Sequence, residues 1–462
     1  MELHKSINPY ALDVDSDPSF SDSAPFIVDW NKCRTTSFIF LSVSMIFIGL
    51  HHLKPEDQLL VQNKSSEAFF VKNHAFDCRK IFSNDTREIL AAMGDKRSIM
   101  TEYESYRLFG DCSKLFVRHY YPSVPRTAEE EAFPLAYVVL VNQHLEQIEI
   151  LLNAIYAPQN LYCFHVDLKA SHLIHAAVER LARCFPNVAV SRRSFPISRA
   201  TIDTVEAFLE CIEELYQLEQ RNKVTNPWRY LIILQNHDFP LRSNAEIVRI
   251  MRLHNGANDV QLTSFDPQRI EMIWKPLLNA DGAPEGVEKK TGVSRGPPPE
   301  NLKLFKGSVS VRKLLEYLRN SSFGDELFWS TLNHNEHLNL PGTYPGRCFT
   351  VKKYKMHITR FVIWKNSVHP CNGRWRNKVC LLSSSDLPYI VRRRELFVNK
   401  LWLPDDPIAV DCMHELLFNR TYLNDDATAF DINTYVNLTA VRHRDWQLRT
   451  SSNNNSQFPC PS

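Results

Sequence analysis

The run NLYCFHVDLKAS, Asn160 to Ser171, delivers a carboxylate to the end of what reads as a buried strand. Tyr162, Phe164 and Val166 are apolar and β-prone, Asp167 closes the run, and Ser171 is placed to cap a following helix. A carboxylate there can hold a ligand, or it can serve as a turn or helix-capping residue. Other patterns with chemical content fail on context. DVDSD (Asp13 to Asp17) contains D-x-D twice, the pattern many sugar-nucleotide enzymes use to hold a divalent metal. It lies in a Ser/Pro/Asp-rich segment that reads as a solvated acidic tail, and no other D-x-D occurs. GVSRG (Gly292 to Gly296) matches G-x-S-x-G, but a nucleophile elbow needs a strand before it and a helix after it. EGVEKKT precedes it and PPPE follows, so it reads as a loop. The chain has no P-loop, and no G-x-G-x-x-G follows its first strand, which argues against a dinucleotide enzyme.

The elements that must position Asp167 begin at Pro134. PLAYVVLV reads as a buried strand, and LEQIEILLNAIY has Leu145, Ile148, Leu152 and Ile155 at helical spacing. LYCFHVD is the second strand, SHLIHAAVERLARCF a helix, NVAV a third strand, Thr204 to Leu218 a helix and WRYLIIL a fourth strand. SNAEIVRIMRLHNG opens on a capping box, Ser243 with Glu246, and stops at Gly256. Strands alternating with helices predict an α/β fold with a mainly parallel sheet, covered on both faces. Ligands of such sheets bind beyond the carboxyl ends of the strands, where Asp167 falls.

Eleven cysteines are spread along 462 residues with no C-x-x-C pair, a pattern that suits disulfides better than structural zinc. Glycosylation sequons stand at Asn63, Asn84, Asn320, Asn419, Asn437 and Asn454, all after residue 53. The net charge of +2 points to neither a nucleic-acid nor a membrane-surface partner. The only strongly apolar stretch, TTSFIFLSVSMIFIGL, has an uninterrupted core of 13 residues, Phe38 to Leu50. That is short for a bilayer span, but 34 residues precede the stretch and no small-x-small cleavage site follows it, so it reads as a retained anchor. Flanking charges do not orient it; the sequons and cysteines put the large C-terminal part in the lumen, a type II arrangement. The expected organisation is a cytoplasmic tail over 1–34, a transmembrane signal anchor over 35–53, a stem over 54–75, a lumenal domain over 76–440 and a disordered tail over 441–462.

YAPQNLYCFHVDLKA, CFPNVAV, YLIILQNHDFPLRSNAEIV, GPPPENLKLFKGS, DELFWSTL and LFVNKLWLPDDPIAVDC, in this order, resemble the core-2/I-branching β-1,6-N-acetylglucosaminyltransferases, from about Cys78 to Tyr422. The resemblance implies a GT-A-like, Rossmann-like sheet that binds UDP-N-acetylglucosamine, and an inverting transfer to a sugar hydroxyl of a glycan or glycoprotein, without a metal or other cofactor. It implies a Golgi membrane location. Val141, Asn142 and Gln143 match the segment that touches the uridine side of the donor, and Asp167 the nucleotide-contacting aspartate. Glu326 matches the catalytic base, which takes a proton from the acceptor hydroxyl. Lys400 matches a phosphate-binding lysine, its alternative being a solvated surface charge. Trp364 resembles an acceptor-side tryptophan, its alternative being packing in the core. The implied disulfides are Cys78–Cys412, Cys112–Cys184, Cys163–Cys211 and Cys371–Cys380, with Cys348 and Cys460 either free or paired with each other.

The chain also departs from the family pattern. The second phosphate cation would fall on Asn377, and a one-residue shift gives the role to Arg376. Arg199 replaces a donor-contacting tyrosine, and Arg269 and Glu271 stand at other spacings than the acceptor-binding charges. The segment between Lys306 and Asp325 is short and suggests neither a strand continuation nor a helix. Two further readings therefore stay open: a catalytically inactive lumenal relative that binds glycans or partners, or a transferase with another donor or acceptor, such as xylose to protein serine.

Overall fold

The computed structural model describes residues 26–29, 68–72, 74–95, 97–261, 309–319, 321, 323–334, 341–344, 357–423, 431–450 and 458–460. The D-x-D pattern, the apolar stretch, the GVSRG pattern, Arg269, Glu271, Cys33, Cys348 and the sequons at Asn63, Asn320 and Asn454 lie outside these residues.

The core is a six-stranded sheet built from β1 (Phe26–Asp29), β2 (Leu135–Val141), β3 (Leu161–Val166), β4 (Val188–Val190), β5 (Tyr230–Gln235) and β7 (Asp259–Val260), in the order β4-β3-β2-β5-β1-β7. β2 pairs in parallel with β3 and with β5, and β3 with β4, as strands separated by helices must. Alternate residues of these strands enter two apolar layers. Tyr137, Val139, Phe164, Ile232 and Leu234 meet helices α1 (Leu145–Ile155), α2 (His172–Arg183) and α4 (Asn244–His254). Val138, Leu140, Cys163, Leu231 and Ile233 meet α3 (Asp203–Arg221) and α6 (Gly324–His334) on the other face. β2 has all seven residues buried, which is why it reads as a continuous apolar run and not as an alternation.

Local signals behave as expected. Ser171 caps α2 by accepting from the Ile174 N–H at 3.3 Å, and Ser243 with Glu246 forms the capping box of α4. That helix ends on Asn255 in the left-handed region (φ 46°), followed by Gly256. The four implied disulfides are present. Cys460 is disulfide-bonded as well.

Two expectations need correction, and a third meets a conflict. The short segment before Asp325 does form a helix, α5 (Val309–Arg319), with Leu318 buried and Arg319 Nη2 donating to Glu206 of α3 at 2.6 Å. Its apolar residues Leu314, Leu315 and Leu318 recur at three- and four-residue steps, enough for a helix even in a short connection. The expected disordered tail over 441–462 instead carries most of α8 (Thr439–Thr450). Val441 is in the core, Arg444 Nε donates to the Asn255 carbonyl at 3.2 Å, and His443 packs edge-on against Phe458. Finally, β1 belongs to the expected cytoplasmic tail, yet it pairs antiparallel with β5 (Ile27 opposite Ile232) and with β7. A strand in this sheet lies on the sheet's side of any membrane, so this pairing and a cytoplasmic tail exclude each other.

A second, three-stranded sheet follows β5 directly. β11 (Phe397–Asn399) pairs antiparallel with β6 (Phe239–Pro240) and in parallel with β8 (Arg360–Val362). Beyond it, β9 (Arg374–Arg376) and β10 (Val379–Leu381) form a hairpin. The hairpin's two-residue loop, Asn377 and Lys378, has both φ values positive (48° and 67°), the turn geometry that suits the twist of paired strands. Gly373 is required at its base: a Cβ there would stand 1.9 Å from the Leu381 carbonyl oxygen.

Candidate active site

The chain runs outward from β2 to β3 and β4, then returns to add β5 on the other side of β2. The crevice beyond the carboxyl ends of β2 and β5 is therefore the topological switch point of the sheet. Val141–Gln143 leave β2 there, and Asn236–Asp238 leave β5. The two exits are tied: the Asn236 side-chain amide donates to the Gln143 carbonyl at 2.9 Å, and the Asn236 N–H to the Leu140 carbonyl at 3.0 Å. Val141 and Asn142 are buried at this edge.

Asp167 sits one strand over, its N–H donating to the Val141 carbonyl at 2.8 Å. The residue is 2% exposed. Oδ1 accepts from the Lys169 N–H at 2.9 Å and from the Ile197 N–H at 3.3 Å, so Asp167 does close a turn, while the capping role falls to Ser171. The second oxygen, Oδ2, stands 3.9 Å from Lys169 Nζ and is engaged by no hydrogen bond among the described residues. Burial pushes this carboxyl up, against the pull of Lys169 and of the two N–H groups.

The other wall of the crevice is cationic. The register of β11 on β6 sets Asn399 against Asp238: Asn399 Nδ2 donates to Asp238 Oδ1 at 2.8 Å, and Arg360 Nη2 to Oδ2 at 2.6 Å. Burial pushes the Asp238 carboxyl up, and Arg360 pulls it down. Leu401 N–H donates to the His237 carbonyl at 3.1 Å, so Lys400 lies opposite His237 and Asp238. Lys400 is only 3% exposed, which sets aside a solvated surface lysine. Next to it, Trp402 carries the Arg376 guanidinium on its ring at 4.4 Å, with the His144 ring at 4.9 Å and the His237 ring at 5.5 Å. Gln147 of α1 holds this segment: Nε2 donates to the Leu401 carbonyl at 2.8 Å, and Oε1 accepts from the Leu403 N–H at 2.9 Å.

The hairpin accounts for an asparagine at position 377. Asn377 is a left-handed turn residue, and Arg376 is the last strand residue before it, laid on Trp402. Trp364 is bridged to Val379 of the same hairpin and is 38% exposed, so it is not a core residue. Glu326 is half-buried in the first turn of α6. The start of that helix is joined to the Asp167 side through the loop after β4: Phe323 N–H donates to the Ala200 carbonyl at 2.7 Å, three residues past Ile197. Both partners have positive φ, 64° for Phe323 and 60° for Ala200, a conformation that L-residues avoid and that clusters at functional sites. Arg199 is exposed on this loop. Of the residues singled out from sequence, Val141–Gln143, Asp167, Arg376 and Lys400 line the crevice. Arg199 and Glu326 flank the Phe323–Ala200 hydrogen bond that joins α6 to the loop after β4, and Trp364 is bridged to the hairpin. Sequence reasoning missed His144, His237, Asp238 and Trp402. QNHD follows YLIIL just as D follows LYCFHV, so the strand-end argument that found Asp167 applied equally to His237 and Asp238.

A parallel sheet with a carboxylate and buried cations at its switch point fits a GT-A-like enzyme that holds a nucleotide-linked group. Residues 135–391 match the Core-2/I-Branching enzyme family, more than half of the chain, and the chain belongs to that family. It is similar to the human β-1,3-galactosyl-O-glycosyl-glycoprotein β-1,6-N-acetylglucosaminyltransferase, at 31% identity over 410 residues, covering 81% of this chain and 89% of the relative. A Danio rerio relative, number 4 of the same name, is 29% identical over 84% of this chain and 95% of its own length.

Proposed function

We propose that the chain transfers N-acetylglucosamine from UDP-N-acetylglucosamine to a sugar hydroxyl, building β-1,6 branches on O-glycans with inversion at the anomeric carbon and without a metal. The carrying observation is that the buried Asp167 carboxylate follows β3 while the buried Lys400, close to Arg376 and Trp402, is held against the exit of β5, both at the carboxyl end of the sheet. Val141–Gln143 and Asp167 take the uridine end, Asp167 Oδ2 accepting from uracil or ribose. Glu326 takes the proton of the acceptor hydroxyl as its oxygen attacks the anomeric carbon. The bond to the diphosphate breaks, and Lys400 and Arg376 meet the charge that builds on the leaving group, where another enzyme would use a divalent ion. Arg199 lies on the donor side, and Trp364 offers its exposed face to the acceptor pyranose.

The domain works in the Golgi lumen, held by a single type II anchor over residues 35–53. The disulfides support an oxidising compartment, and Asn84 and Asn437 are exposed as sequon acceptors must be. The test uses the chain from Lys54 onward, secreted, with UDP-N-acetylglucosamine and Galβ1-3GalNAc in EDTA, beside Glu326→Gln. Transfer by the wild type alone is expected, with UDP affinity in Glu326→Gln nearly unchanged, because only the base is removed. Loss of UDP binding in that variant would sink the role given to Glu326. A folded, UDP-binding wild type that transfers nothing would sink the proposed acceptor or the activity itself.

A further inference from the structure

His237 occupies the centre of the cationic wall and has no role in the transfer as written above. It is 3% exposed. Its backbone carbonyl accepts from Leu401 N–H at 3.1 Å, which fixes it opposite Lys400. Its ring is tilted against Trp402, the ring that carries Arg376. Which nitrogen bears the proton follows from the neighbours. The Asn236 amide nitrogen donates to the Gln143 carbonyl, so its Oδ1 is the atom that faces His237 Nδ1, at 3.1 Å. Oδ1 only accepts, so Nδ1 carries the hydrogen and Nε2 keeps a lone pair. Nε2 is buried and meets no partner among the described residues. A buried nitrogen without a partner costs about 1–3 kcal/mol, a cost that a ligand oxygen meeting Nε2 would remove.

We propose that His237 is a proton-accepting member of the donor's diphosphate cradle: when the diphosphate binds, Nε2 takes one proton from solvent and donates it as a hydrogen bond to a phosphate oxygen. The proposal rests on reading this crevice as the donor site. The balance is simple: neutral imidazole plus one proton gives imidazolium, and no other bond changes.

The charges around the ring explain why the proton is absent beforehand. Burial and the nearby Lys400, Arg360, Arg376 and His144 together hold the ring well below the usual imidazole range. Arg360 is also paired with Asp238, which offsets part of its charge. A sugar-nucleotide diphosphate carries about two negative charges and reverses that balance. The ring's proton affinity is then higher in the complex than in the free protein. Between the two values, binding takes up a proton, and affinity rises about tenfold for each unit the pH falls.

The test is calorimetry of UDP-N-acetylglucosamine binding to the full chain in detergent, without acceptor, in pairs of buffers with different ionisation enthalpies between pH 5.5 and 7.5. This donor is the right probe because both of its phosphates are esterified and do not titrate in that range. Expected is uptake approaching one proton per donor bound, absent with uridine, which lacks the phosphates, and absent in His237→Gln, whose donor affinity is flat with pH. Donor binding with no proton uptake in the wild type overturns the proposal and leaves the donor site standing. Absence of donor binding at every pH overturns both. Should His237→Gln fail to fold, the difference between donor and uridine in the wild type decides alone.

Discussion

Lys400 shows how a residue's surroundings decide its role. A lysine at a strand end is ordinarily solvated, yet here it is buried between β11 and Trp402 and faces the exit of β5. An ammonium so placed can meet a diphosphate through a charge-assisted hydrogen bond in a site of low polarity. Lys400→Ala should therefore weaken UDP binding by about 1.5–3 kcal/mol, roughly ten- to a hundredfold in Kd, with little change in Tm. Titration of UDP by fluorescence or calorimetry reads this, and unchanged affinity would remove Lys400 from the cradle. Arg376 and Asn377 carry the complementary lesson. The family pattern puts a cation at Asn377; in the structure Asn377 is spent on a left-handed turn, which asparagine tolerates and arginine disfavours. Asp167 was legible because its whole argument is local, a strand that stops on a carboxylate. His237 and Asp238 stop a strand too, but their meaning depends on Asn399, 161 residues later, and no local pattern reports that return.

At the scale of elements, the parallel strands and their helices were legible throughout, because each strand is buried on both faces and each helix shows its apolar stripe and cap in a short window. What was not legible is what depends on distant partners. Helix α8 reads as a polar tail, since its buried Val441, His443 and Arg444 are recognised only through Asn255 and Phe458. The clamp between α1 and the segment after Lys400 is of this kind as well. Gln147 is fully buried in a helix that is itself buried on most sides, and it satisfies one carbonyl and one N–H in the segment after β11, 254 to 256 residues away. Gln147→Leu conserves volume but leaves both backbone groups without partners, at about 1–3 kcal/mol each. The expected result is a Tm lower by several degrees together with weaker UDP binding, since Trp402 and Lys400 lose their support. A variant that loses stability but keeps full UDP affinity would show that α1 does not position the cradle.

At the scale of the whole molecule, two demands on the N-terminus compete. β1 adds a four-residue antiparallel strand between β5 and β7, which requires residues 26–29 to share the compartment of the sheet. The apolar run Phe38 to Leu50 asks for a bilayer, and the sequons and disulfides ask for a lumenal domain. The order of synthesis separates them. The apolar run, ending at Leu50, is made about 185 residues before β5 is complete at Gln235, so membrane insertion is decided before the sheet exists. In the proposed type II arrangement residues 1–34 stay on the cytoplasmic side, β1 does not join, and the sheet holds without it. The parallel strands that form the switch point do not depend on β1, since β2, β3, β4 and β5 pair among themselves. Two outcomes are therefore expected. In sealed microsomes an epitope at residue 1 is removed by added protease, while the domain after residue 53 is protected and glycosylated. The secreted chain from Lys54 unfolds in one cooperative transition and binds UDP as tightly as the detergent-solubilised full chain. A protected N-terminal epitope, or a truncated chain that loses both folding and UDP affinity, would instead make β1 an obligatory strand of the lumenal sheet and end the reading of residues 1–34 as a cytoplasmic tail.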